Sequence, residues 1–399
     1  MTLQRKKLPI GIQTFAKIRE DDYYYVDKTA LALKLIDTGT HYFLSRPRRF
    51  GKSLFLDTLA ELFEGNESLF RGLQCHGQWD WAQRYPVIRL SFGAGRLSSA
   101  AGLHEHIQAS LDDNAVRLNV SLEPPTQSPH LRFRQLIQQA HAQHGQRVVV
   151  LVDEYDKPIL DNLTEPAIAR QMRDGLRDLY SVIKDNDAHI RFAFLTGVSK
   201  FSKVSIFSGL NNLNDITIDA SYSAICGYTD ADVDTVFAPE LMDLDREEIR
   251  AWYNGYNWTG TSVYNPFDLL LLFDKREFRP WWFETGTPTF LVDWLTRQPA
   301  TFTPASAQSW RSDLDCYRAF DVDHIATEAL LWQTGYLTIA STAPAAGART
   351  EVHAEPAQPA KCSASLNDSP AAAACSGDSH PASGGISGQA VLTCCWRTT

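Results

Sequence analysis

No run of apolar residues in this sequence approaches the ~18 needed to cross a bilayer, so a membrane span is not expected. The start, MTLQRKKLPI, is basic, but no apolar stretch follows it as a secretion signal requires. The expected compartment is therefore the cytoplasm. An excess of positive charge is also lacking: 38 basic residues face 47 acidic ones, a net charge of -9. Bulk electrostatics thus argues against nucleic-acid binding, which would need a local basic patch. The seven cysteines form no CxxC pair, which excludes the common zinc spacings. Their odd number in a cytosolic-looking chain argues against a disulfide framework and for reduced thiols. His41, His104, His106, His130, His141 and His144 show no HExxH or other ligand spacing.

What is present is a globular composition. Hydrophobic residues make up 44% of the 399 residues and aromatic residues 11%, enough for a sizeable core. At roughly 150 residues per domain, two to three domains are expected. Composition shifts near residue 342, where interleaved apolar and charged residues give way to Ala, Ser, Pro and Gly. Such text buries too little apolar area to offset its ordering entropy, so 343–399 is expected to be a disordered tail.

The body alternates strand and helix patterns. Strands are expected at His41–Ser45, Val87–Phe92, Val148–Val152, Ile190–Thr196 and Asp215–Ile218. The run VVVLV has no polar alternation, as in a parallel strand buried on both faces. Phe133, Leu136, Ile137 and Ala140 follow a helical period, as do Ile168, Met172, Leu176, Leu179 and Ile183. Strands separated by helices imply a three-layer α/β domain with a parallel sheet, over 1–226. Thr229 with Asp232 reads as a capping box that opens a helix. Residues 227–342 read as a smaller, mainly helical, lid-like region rich in aromatics.

Three segments carry chemistry. HYFLS runs into Arg46-Pro47-Arg48-Arg49-Phe50-Gly51-Lys52-Ser53, then an amphipathic stretch from Leu54. Strand, loop, Gly-Lys-Ser, helix is the context of a P-loop, in which backbone N–H groups at a helix N-terminus meet phosphates. Residues 46–54 are thus the candidate nucleotide-binding loop. Lys52 would reach the β- and γ-phosphates of ATP, and Ser53 would bind Mg²⁺. The first Gly of GxxxxGK[ST] is replaced by Arg46. VVVLV then ends in Asp153-Glu154, an acidic strand end in which Asp153 holds Mg²⁺ and Glu154 orients or deprotonates the attacking water. Thr196, at the end of the next strand, is the candidate that orients water between Glu154 and phosphate. Glu154, Lys52 and Thr196 are the expected catalytic residues. Lys200 and Lys203 are weighed as phosphate contacts against a charged loop, and Trp252–Trp258 with Trp281 and Trp282 read as core rather than base-stacking surface.

At these residues the chain resembles the AAA-ATPase-like family of prokaryotic P-loop proteins. The matching segments are YYYVDKT, SRPRRFGKSLFLDTL, LVDEYDKPI, FLTGVSKFSKVSIFSGLNNL, WYNGYNW with VYNPFDLL, and FETGTPTFL, spread over residues 8–340. The resemblance implies a P-loop fold of the additional-strand, catalytic-Glu type and Mg-dependent ATP binding. Arg46 in place of the first Gly is typical of it. The expected function is a slow ATPase acting as a nucleotide-driven switch. A non-hydrolysing nucleotide-dependent binding module, or the remnant of an ATPase-nuclease acting on nucleic acid, stands beside it. A protein partner or a second copy is compatible with either. The family is often fused to a PD-(D/E)XK nuclease-like domain. Such a nuclease needs an Asp and an acidic-x-Lys on a strand. After residue 342 only Glu351, Glu355, Asp368, Asp378 and Lys361 are available, so the nuclease is expected to be absent.

Overall fold

The computed structural model describes residues 5–124, 128–201, 206–207, 210, 212–282, 289–297, 310–313, 327–345 and 349–357. In chain order the helices are α1 (Phe15–Glu20), α2 (Thr29–Thr38), α3 (Lys52–Phe63), α4 (Ala100–Arg117), α5 (Pro129–His144), α6 (Lys157–Leu160), α7 (Pro166–Asp185), α8 (Asp230–Val236), α9 (Arg246–Tyr253), α10 (Pro266–Lys275), α11 (Thr289–Arg297) and α12 (Thr327–Thr334). The strands are β1 (His41–Ser45), β2 (Val87–Ser91), β3 (Val148–Asp153), β4 (Ile190–Gly197), β5 (Asn214–Asp215), β6 (Trp310–Asp313), β7 (Leu337–Ala345) and β8 (Arg349–Pro356).

The first five strands form one parallel sheet in the order β2-β3-β4-β1-β5. Helices flank it, the α/β arrangement that the alternating pattern implies. Val148–Val152 are fully buried, as a central strand covered on both faces must be. The ladders pair Ser45 with Gly197 and Ser91 with Asp153. The C-terminal ends of β1, β4 and β3 therefore share one edge of the sheet, where ligands of open α/β sheets bind. Strand β4 lies between β1 and β3, so the Gly-Lys-Ser loop and the acidic strand end leave strands that are not adjacent.

The outer edge of β2 is closed by side chains of α4. Asn114 accepts from the Arg89 N–H at 2.9 Å and donates to the Arg89 carbonyl at 2.8 Å, and Arg117 donates to the Val87 carbonyl. An amide side chain here substitutes for a neighbouring strand and blocks edge-to-edge pairing.

Two apolar cores interleave along the chain. The larger joins the sheet and its helices to Tyr256, Trp258, Trp282, Leu330, Trp332 and Tyr336. The smaller joins Tyr24 and Val26, near the start, to Val233, Phe237, Ile249, Tyr264 and Phe273. Neither core stops at residue 226. The capping box is formed: the Thr229 hydroxyl accepts from the Asp232 N–H, and Asp232 accepts from the Thr229 N–H at 2.8 Å.

The expectation of a tail beginning at residue 343 needs correction. Strand β7 runs on to Ala345, and β8 returns antiparallel between β6 and β7. The Ala357 N–H donates to the Tyr336 carbonyl at 3.1 Å, and Ala354 and Ala357 are buried. Low aromatic content hid this hairpin, whose described buried residues after 343 are the small Ala354 and Ala357. The region after 227 accordingly carries a three-stranded sheet beside its helices. Glu351 and Glu355 fall within β8, whereas Lys361, Asp368, Asp378 and the rest of 358–399 lie outside the described residues. Among the described residues, no helix is long and apolar enough to cross a membrane.

Candidate functional site

Strand β1 ends at Ser45, and the chain turns through residues 46–51 into α3. Gly51 has φ +93°, a left-handed conformation that suits glycine at this helix start. Lys52 follows, buried, and its ammonium donates to the carbonyls of Arg46 and Pro47, each at 2.9 Å. Burial lowers the Lys52 pKa, opposed by the nearby carboxylates of Asp153, Glu154 and Asp156. Lys52 is thus aimed along the inside of the loop, toward the acidic strand end.

The Ser53 hydroxyl stands beside the Asp153 carboxylate and lowers its pKa, so the first turn of α3 faces the end of β3 across the intervening strand. Burial raises the Asp153 pKa, and the Ser53 hydroxyl and the Lys52 charge lower it in part. A hydroxyl beside a half-buried carboxylate is a hard oxygen pair that fits Mg²⁺, which takes few protein ligands and completes its shell with water and phosphate oxygens. Glu154 is half-buried with φ +52°, an uncommon conformation for a non-glycine residue. Its N–H donates to Asp153 Oδ1 at 3.0 Å. A Cβ added at Gly93 would lie 3.3 Å from Glu154 Oε2, so glycine leaves this carboxylate its room.

Lys52, Ser53, Gly93 and Glu154 border a cavity of about 400 Å³. Arg48, Arg49, Phe50, Gly51, Lys52, Ser53 and Leu54 line one wall, with Glu154 and Lys157 beside them. The N-terminal segment adds Ile12, Tyr24 and Lys28, and the region after β5 adds Cys226, Tyr228 and Phe267. Lys28 pairs with Asp232 at 2.9 Å and Lys157 with Asp161 at 2.6 Å. Cys226 had no motif to mark it, whereas Lys28 and Phe267 fall in the matching segments YYYVDKT and VYNPFDLL without a role of their own. Cys226 and Cys75 are buried free thiols.

Four expected site residues behave differently from the sequence reading. The Arg46 guanidinium is buried away from the loop, donating to the carbonyls of Ser45 and Thr217 at 2.9 and 2.8 Å and to that of Tyr222 at 3.3 Å. It also stacks on Trp258, 4.0 Å from the ring centre. Pro47 is buried and packs near Gly335, where an added Cβ would lie 2.8 Å from its ring. Phe50 turns into the core, its ring edge-on to Tyr256 at 4.6 Å and Trp258 at 5.5 Å. Thr196 is fully buried, and its hydroxyl donates to the Leu44 carbonyl at 2.9 Å, so it fastens β4 to β1. Lys200 is paired with Asp215, and Lys203 lies outside the described residues.

The loop is also held from behind. The Trp282 indole donates to the Arg48 carbonyl at 2.9 Å, and the Gly227 N–H donates to the Phe50 carbonyl at 3.2 Å. Arg49 lies over the Phe267 ring at 4.8 Å. Trp258 and Trp282 are buried, which makes them core.

Comparison with known proteins bears on the part of the chain that holds this cradle. Residues 9–207 match the AAA-ATPase-like family, described as "Predicted AAA-ATPase". This match supports ATP binding. A curated protein of Azotobacter chroococcum mcd 1, "Uncharacterized protein in vnfD 5'region", is 69% identical over 338 residues. The alignment takes in 84% of this chain and 65% of that protein. No solved structure matches the chain.

Proposed function

We propose that the protein binds Mg·ATP in the cavity beside α3 and hydrolyses it slowly, with the nucleotide state biasing the region after residue 227. The observation that carries this reading is Lys52, whose ammonium is held inside the loop by the Arg46 and Pro47 carbonyls, with Ser53 beside the Asp153 carboxylate. The N-terminus of α3 presents backbone N–H groups to an anion, and Lys52 supplies a point charge beside them. Ser53 and Asp153 supply two oxygen ligands for Mg²⁺, which when bound neutralises charge building on the phosphates. Glu154, two residues from the buried end of β3, accepts a proton from water. The strand β4 between β1 and β3 supports the additional-strand, catalytic-Glu type. Contacts of the loop with Trp282, Gly227 and Phe267 give a physical route from the phosphate site to the lid-like region.

A second reading, a nucleotide-dependent binding module without turnover, is favoured by one observation. The Thr196 hydroxyl is committed to the Leu44 carbonyl rather than free to order a water. Steady-state phosphate release separates the two. Under the leading reading Glu154→Gln retains Mg·ATP and loses ~10²-fold in turnover, the scale of a lost general base. Equal turnover by wild type and Glu154→Gln would sink it.

A further inference from the structure

Two residues after Glu154 stands a carboxylate that no motif singled out. Asp156 is 1% exposed. Its Oδ2 accepts three hydrogen bonds: from the Ser199 N–H at 2.6 Å, the Ser199 hydroxyl at 2.5 Å and the Val198 N–H at 3.1 Å. All three donors belong to the chain leaving β4. The tie is reinforced by the Tyr155 N–H, which donates to the Thr196 carbonyl at 3.1 Å. Its fit is tight, since a Cβ at Gly197 would lie 2.3 Å from Asp156 Oδ1. On its other side the same β4 exit holds the phosphate loop, because the Gly197 carbonyl accepts from the Arg46 N–H at 3.2 Å.

The geometry therefore forms a bridge. Arg46 opens the phosphate loop, Gly197 to Ser199 span the gap left by the interposed strand, and Asp156 closes onto the acidic turn. Glu154 sits inside that turn in a strained left-handed conformation, which persists only where its surroundings fix it. An acceptor-only oxygen suits three converging donors, whereas the NH₂ of an asparagine would oppose them. A fully buried charge is also a poor way to gain stability. We propose that Asp156 is a positioning residue, whose carboxylate sets Glu154 at a fixed place relative to Lys52 and Ser53. This inference rests on the hydrolytic reading of Glu154.

The test uses the full chain as wild type, Glu154→Gln, Asp156→Asn and Ser199→Ala. Calorimetry gives the affinity for Mg·ATP, and single-turnover quench gives the hydrolysis rate of bound ATP. Asp156→Asn is expected to bind within ~3-fold of wild type and to hydrolyse at least ~10-fold more slowly, the scale of a misplaced catalytic group. Ser199→Ala removes the hydroxyl donor and keeps both backbone donors, so its rate should fall ~3-fold. A purely structural role would lower the melting temperature and leave the rate of bound ATP unchanged. Folded Asp156→Asn with wild-type rate overturns the proposal and leaves the hydrolytic reading standing. If Asp156→Asn does not fold, Ser199→Ala decides, and a wild-type rate there overturns it. Equal rates for wild type and Glu154→Gln overturn the hydrolytic reading and the proposal together.

Discussion

Asp156 gives a stability prediction that needs no nucleotide. Burial pushes its carboxyl from the ordinary 3.8 up to about 6, while the bonds from Ser199 and the charge of Lys52 pull it down. Because the folded value lies above the unfolded one, the folded chain holds the proton more tightly. Stability is therefore lost as pH rises from about 4 through 6, and the full cost is present from about pH 7 upward. The difference between 3.8 and about 6 corresponds to about 3 kcal/mol, of which about 1.5 kcal/mol develops between pH 5 and pH 8. Asparagine does not titrate. At any one pH, Asp156→Asn also disturbs donors that cost ~1–3 kcal/mol each when unmatched. That loss does not vary with pH, so the pH dependence of the difference isolates the carboxylate. Urea unfolding of both proteins at pH 5, 6, 7 and 8 measures it. Relative to wild type, Asp156→Asn should gain about 1.5 kcal/mol between pH 5 and pH 8. A difference that stays flat, or that moves the other way, refutes the burial argument.

The remaining predictions concern separate parts of the fold. Lys52→Ala should lose Mg·ATP binding by at least ~10²-fold in calorimetry, because its ammonium is the point charge inside the loop; unchanged affinity would end the phosphate-loop reading. Asn114→Ala should cost ~1–3 kcal/mol in urea unfolding, since it strips both bonds from the edge of β2. Wild-type stability there would mean that water replaces the amide. A chain ending at Thr342 loses β8 and should melt lower and bind a hydrophobic dye, with Leu337 and Ile339 uncovered. A chain ending at Ala357 should melt as the whole protein does, and identical melting of both chains would show β8 to be dispensable.

The legible parts of the fold were those whose cause is local. VVVLV reads as a central strand because burial on both faces removes every polar residue from it, and it is one. Gly51 reads as a helix start because only the backbone constrains it, and Thr229 with Asp232 form the box that their spacing implies. Asp153 and Glu154 were legible because a strand must end where its apolar run ends. What was not legible depends on distant partners. Asp156 looks like one more acid in DEYDK, and its meaning comes from Val198 and Ser199, brought to it by a parallel pairing. Thr196 carries the right residue type at the right strand end, but its hydroxyl finds the Leu44 carbonyl first. Strand β8 has no aromatic signal, and its pairing with β7 and β6 is a matter of register rather than composition.

Arg46 shows how a departure from a motif can be read physically. A glycine is required in a phosphate loop where φ is positive or where a Cβ would obstruct the ligand. In this loop positive φ falls at Arg49 and Gly51, not at residue 46. The main chain of Arg46 still serves the loop, since its carbonyl accepts from Lys52 and its N–H donates to Gly197. The side chain is then available for another task. It points the opposite way, into the space between β1, Thr217, Tyr222 and Trp258, where three carbonyls and an indole face receive it. Burial lowers its pKa to about 10, so the guanidinium stays charged at neutral pH. A charged donor shared among three carbonyls is a stiff strut, because its planar fork fixes all of them at once. The loop therefore gains through the Arg46 side chain a rigid attachment to the segment after β5, which a glycine at this position has no means to supply.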